Sequence, residues 1–181
     1  MGSSAHIFRL FVPKQAAGAN LVYFDLFNAA GSGYEIGISS IQPVVSGAVA
    51  VTGTLGVDLH LTGTTAVGTG GTAATLNGTD IAACTISGIN PRNSFPTAAI
   101  TARLTPSGGA TAGRVLTMCS VWPEETGAGA YVAKLNDFVN ISGDPEDIII
   151  PPGHGIRVIQ GAVASVGNIG FNVAFCICPI A

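Results

Sequence analysis

Charge is what this sequence has least of. Of 181 residues, seven are Lys or Arg and ten are Asp or Glu, 9% in all, against roughly a quarter in an average soluble domain. Seven basic residues spread thinly along the chain cannot build a phosphate-neutralising patch, which excludes a basic nucleic-acid binder. Long apolar runs are missing as well. No stretch approaches the ~20 residues that a bilayer-spanning helix needs, so no membrane partner is expected. The first ten residues lack the basic region, apolar core and cleavage site of a secretory signal, and synthesis in a cytoplasm is the expectation. Helix signals are nearly absent, because Gly or Pro interrupts almost every window. Disorder is excluded by the 48% of hydrophobic residues, since disordered chains are poor in apolar groups and rich in charge. The 25 glycines follow no three-residue period, which excludes collagen.

The missing charge has a consequence for the surface. A folded monomer of 18.1 kDa exposes on the order of 8,000 Å², which leaves one ionised side chain per roughly 500 Å². Two explanations apply together. Neutral Thr, Ser, Asn and Gly cover part of the surface, and another part is buried against other subunits, where charge is depleted. A homo-oligomer is therefore expected.

What is present reads as all-β. Short apolar-alternating runs bounded by turn residues recur at even spacing. Strands are expected near 21–27, 34–42, 54–61, 81–86, 98–104, 114–122, 131–141, 155–164 and 169–178. Gly31-Ser32-Gly33, Asn77-Gly78, Ser107-Gly108-Gly109, Gly127-Ala128-Gly129 and Gly167-Asn168 supply the turns. In the last strand Phe171, Val173, Phe175 and Ile177 share one face, while Asn172, Ala174, Cys176 and Cys178 share the other. About nine or ten short strands fit an antiparallel β-sandwich or jelly roll. One domain is expected over 21–181. Residues 1–20 are expected to be an N-terminal arm reaching a neighbouring subunit, or an edge strand, with Lys14–Asn20 as a linker. Thr62–Thr75, rich in Gly, Thr and Ala, reads as a long loop.

Chemistry-bearing residues are few. Cys176 and Cys178 lie two apart on a strand, about 6.5–7 Å from each other and parallel, so they do not readily bond each other. Either could reach Cys84, Cys119 or a cysteine of another subunit; otherwise all four are small apolar residues. No metal site is expected, since no Cys-x-x-Cys pair exists and His6, His60 and His154 are scattered. Asp144-Pro145-Glu146-Asp147 lacks the spacing of a calcium loop and reads as a turn, and Glu124-Glu125 as a solvated loop. Asp58 and Glu35 offer no more than a generic carboxylate pair. Gly31-Ser32-Gly33 has the wrong spacing for a nucleophile elbow. Gly68-Thr69-Gly70-Gly71 lacks the lysine and helix of a phosphate loop. The sequons at Asn77 and Asn140 carry no weight without an export signal. His154, in Pro151-Pro152-Gly153-His154-Gly155, is the most conspicuous single residue: a turn residue, or a pH-sensitive contact. No catalytic residue and no cofactor are assigned.

The order of turn phrases resembles a family. Phe27-Asn28-Ala29-Ala30-Gly31-Ser32-Gly33 leads into an alternating strand; Gly70–Ala73, Trp122–Gly127 and Pro151-Pro152-Gly153-His154-Gly155-Ile156 follow. Over roughly residues 21–178 this is similar to the small Gly/Thr-rich jelly-roll structural proteins of tailed bacteriophages, head decoration (cementing) proteins above all. Ala29 stands where that family often has Pro. The resemblance implies a non-enzymatic virion protein that sits on the capsid surface, forms trimers and bridges subunits of the major capsid protein. A tail- or fibre-associated receptor-binding module is the alternative it leaves open.

Overall fold

Alternation of apolar and polar residues, cut by Gly and Pro, produces strands and nothing else. The computed structural model describes residues 6–46, 50–51, 56–78, 82–88, 95–108, 112–121, 125–126, 139–140 and 148–180, and no helix occurs among them. None is therefore long and apolar enough to cross a membrane. The strands are β1 (His6–Ala16), β2 (Val22–Asn28), β3 (Tyr34–Ser46), β4 (Ala50–Val51), β5 (Val57–Thr64), β6 (Thr72–Ala73), β7 (Thr75–Leu76), β8 (Thr85–Gly88), β9 (Ile100–Leu104), β10 (Ala112–Val121), β11 (Glu125–Thr126), β12 (Val139–Asn140), β13 (Ile149–Ile150), β14 (His154–Gln160) and β15 (Asn168–Pro179).

Pairing is nested. β1 pairs with β15, β2 with β14, β3 with β12 and β13, and β5 with β10, all antiparallel. A long antiparallel hairpin wrapped into two layers has this pattern, and it is the jelly-roll form of the β-sandwich. The first sheet has seven strands, in the order β12-β3-β15-β1-β8-β7 with β13 also on β3. The second has six, β10-β5-β14-β2-β9-β6. A two-stranded parallel pair, β11-β4, stands apart. The strand count thus exceeds the nine or ten expected, because β1 and the two-residue strands β4, β6, β7, β11 and β13 add to them.

The sheets meet face to face over one apolar core. Phe171 of β15 packs against Tyr23 and Phe24 of β2, with ring centroids 5.4 and 5.5 Å apart. Phe8, Phe175 and Phe95 form a second aromatic cluster. Phe171, Val173, Phe175 and Ile177 all face this core, as their alternation requires. Each fully buried side chain of this size contributes about 1.5–3 kcal/mol.

Two expectations fail. His6–Ala16 is neither an arm nor an edge strand, for β1 lies between β15 and β8 and buries Phe8, Leu10 and Val12. The boundary drawn at residue 20 therefore cuts through the sandwich. Thr62–Thr64 likewise belong to β5, so the loop begins at Thr65. Of the strand expected over 131–141, only residues 139–140 are described.

Candidate functional site

A groove of about 270 Å³ opens at the end of the second sheet, where β5, β10 and β14 approach β13. Ile148, Ile149, Pro151 and Leu116 give it apolar walls, and Arg114 and His154 bring polar ends. Thr64 lines it too, and its buried hydroxyl has no hydrogen-bond partner. Gly153, at φ 81°, makes the turn that delivers His154 to the surface. The exposed imidazole is held by its Nδ1, 3.1 Å from the Pro152 carbonyl.

Apolar side chains are exposed at this groove and along β10 beside it. Leu116 and Ile149 are 37% and 45% exposed, and their neighbours Val115 and Met118 on β10 are 44% and 63% exposed. Among the described residues β10 pairs only with β5 and forms the edge of its sheet. Two register shifts, between Ala112 and Val115 and between Val115 and Thr117, distort that edge. Bulges of this kind oppose strand-to-strand addition. What the edge offers a partner is side chains rather than a free row of backbone.

Over β2 and β14 the outer face of the second sheet is closed by the chain itself. Asp25 and Arg157 stand opposite each other on β2 and β14, both buried, with the guanidinium Nη2 3.6 Å from Oδ2. Burial raises the Asp25 carboxyl above the ordinary carboxylate range, opposed mainly by the charge of Arg157. The backbone N–H of Gly68 and of Arg103 also favour the charged form. The glycine-rich run lies directly on this carboxylate, so that a Cβ at Gly68 would collide with Oδ2. At Gly71, which has φ 63°, a Cβ would collide with the Leu104 carbonyl. Arg103 Nη1 donates to the Gly70 carbonyl at 3.0 Å and holds the loop down. Residues 68–71 are therefore a cover over a buried ion pair, and only glycine lets the backbone come so close.

A scan against protein-family models and searches of curated proteins and of solved structures find no match to this chain.

The remaining chemistry-bearing residues are dispersed. All four cysteines are free. Cys84 is buried and Cys119, Cys176 and Cys178 half-buried. Burial pushes both Cys84 and Cys119 up to about 12, with a smaller push from Asp25 and Asp58 respectively. Asp58 accepts a 2.6 Å hydrogen bond from the Ser120 hydroxyl and lies in the second sheet, whereas Glu35 lies in the first. Ser32 caps its own turn, accepting from Tyr34 N–H. Asp144–Asp147 and Glu124 lie outside the described residues. Among those described, no group of three or more His, Cys, Asp and Glu could hold a metal ion.

Sequence reading missed the Asp25–Arg157 pair and a shallow polar groove of about 210 Å³ on the first sheet's outer face. In that groove Arg9, Ser40, Gln42, Ser87 and Asn172 surround the small Ala174. They come from four different strands, and only register brings them together. The apolar groove can bind a partner's side chains, and the polar one can hydrogen-bond a hydroxylated ligand.

Proposed function

We propose that the protein is a structural subunit of a tailed-bacteriophage particle, which decorates the capsid and stabilises it by bridging coat subunits, and that it works as a homo-oligomer. One observation carries the reading: an apolar ridge of Val115, Leu116, Met118 and Ile149 stands exposed beside a groove on a chain with few charges. Exposed apolar clusters rimmed by polar groups are characteristic of protein–protein contacts. The jelly-roll form, which viral capsid domains use among others, is consistent with it. So are the turn phrases that resemble decoration proteins.

The test has two arms. Electron microscopy of purified particles, with antibody against this chain, should label the capsid surface, and the isolated chain should run as an oligomer. Leu116→Asp with Met118→Asp should leave circular dichroism unchanged and abolish both the oligomer and capsid binding. Retained binding with the ridge charged sinks the reading.

The alternative of a receptor-binding module is favoured by the polar groove around Arg9 and Asn172. It calls for binding on a glycan array that is lost in Asn172→Ala, with label on the tail and none on the capsid.

A further inference from the structure

Cys176 and Cys178 alternate with core-facing Ile177 on β15, so both thiols stand on the outer face of the first sheet. Register places Cys176 between Ile7 of β1 and Gly37 of β3, and Cys178 opposite Glu35. Gly37 has no side chain there, and the Cys176 sulfur fills the room. A Cβ at Gly37 would lie 2.8 Å from Sγ. The two thiols are next neighbours along that face.

We propose that this pair is a binding site for a soft monovalent d¹⁰ metal ion, Cu(I) or Ag(I), held by both sulfurs. The strand decides what the pair can and cannot do. Cβ atoms two residues apart in a strand are separated by about 6.6 Å, and a disulfide needs roughly 3.5–4.5 Å. β15 cannot kink to close that gap, because it is hydrogen-bonded to β1 on one side and β3 on the other. Two neighbouring thiols barred from a mutual disulfide remain a dithiol, and a bridging atom can join them.

The choice of ion follows from the donor set. Thiolate donors select soft metals such as Cu(I). Among the described residues no third ligating side chain completes a cluster, so the site suits an ion content with two ligands. Glu35, opposite Cys178, supplies only a hard oxygen. In the binding step two S–H bonds break, two metal–sulfur bonds form and two protons leave to solvent, with no change in oxidation state. The other cysteines offer no equivalent: Cys84 is buried beneath the sandwich surface, and Cys119 lies on β10 of the other sheet.

The test uses the full chain, reduced and free of oxygen, titrated with Ag(I) against a competing chelator and read by native mass spectrometry. Wild type should retain one ion. Cys176→Ser and Cys178→Ser should each lose about 10²–10⁴-fold in affinity, the gain expected from a second tethered ligand. Cys84→Ser and Cys119→Ser should stay within about threefold, since they leave that chelate intact. Equal retention by Cys176→Ser or Cys178→Ser overturns the proposal, as does an equal loss in Cys119→Ser. Mild oxidation followed by peptide mapping gives an independent arm. A Cys176–Cys178 disulfide as the main product refutes the geometric argument; its absence supports it.

Discussion

Replacing Arg157 by Met is the sharpest probe of the second sheet. Met keeps much of the stem length while removing the cation that stands 3.6 Å from the Asp25 carboxylate. Asp25 is 1% exposed, so the variant leaves a buried carboxylate under the Gly68–Gly71 cover. Breaking a buried pair from one side costs about 3–5 kcal/mol. Domains of this size are stable by roughly 5–15 kcal/mol, so the loss is a large share of the total.

The same variant has a pH signature. Burial already raises Asp25, and Arg157 is the foremost opposing cause, so its removal raises the carboxyl further. A folded-state value above the unfolded one, about 3.9, means the folded protein holds the proton more tightly. Stability is then greatest below the unfolded value and falls as pH rises through the window up to the folded one. The slope there approaches about 1.4 kcal/mol per pH unit, and Arg157→Met extends the window upward. Urea unfolding from acid to neutral pH should show a small deficit against wild type at the acid end and the full one at neutrality. Adding Asp25→Asn should recover most of the loss, because a neutral pair carries no buried charge. A deficit independent of pH, or a double variant no better than Arg157→Met alone, refutes the reasoning.

Other outcomes follow from single contacts. Tyr23→Phe removes the hydroxyl that donates to Gln160 Oε1, and since Gly18 N–H still donates to that oxygen, thermal unfolding should register only about 0.5–1.5 kcal/mol. Gln160→Leu should cost more than Tyr23→Phe in the same assay, because it strands both donors at once. Gly68→Ala drives a methyl into Asp25 and Pro106; a loss of about 1–3 kcal/mol and new proteolysis within residues 65–71 are expected. Cys84 and Cys119, pushed up to about 12, are about 10⁻⁴ thiolate at pH 8. A disulfide reagent should therefore leave them unmodified in the native protein and label them only as pH rises toward 12 or on unfolding.

The strands are largely legible in the sequence because turn chemistry and alternation agree along most of the chain. β15 shows it best: its four apolar residues at even spacing all face the core. The central place of β1 escapes because Pro13 and the Ala/Gly run after it look like the end of a strand. In the sandwich Pro13 falls at a register shift between Val12 and Gln15, where a missing N–H breaks no ladder bond. β3 runs past Pro43 to Ser46, paired along its length with β15. The buried ion pair leaves a faint trace, one acid inside Val22-Tyr23-Phe24-Asp25-Leu26 and one base inside Ile156-Arg157-Val158. Nothing local says that these two strands are neighbours, so the pairing stays hidden. The role of the glycines at 68–71 depends on that same pairing and is hidden with it.

The two outer faces are treated oppositely, and this bears on where a partner attaches. The second sheet covers its face over Asp25 and Arg157 with residues 65–71 and leaves it open along β10, whereas the first leaves Ile7, Arg9 and Asn172 in solvent. On the reading of a particle subunit, contact falls on the β10 ridge and the open face, never over the glycine cover. Met118 reports on this directly, as the one methionine among the described residues and the most exposed large apolar side chain of the ridge. Hydrogen peroxide should oxidise it readily in the isolated subunit once any oligomer is dissociated by dilution. In the assembled particle the rate should fall at least about tenfold, a shift equivalent to about 1.4 kcal/mol in the population of the open contact. An unchanged rate on assembly would place the contact elsewhere, and the apolar ridge would lose its meaning.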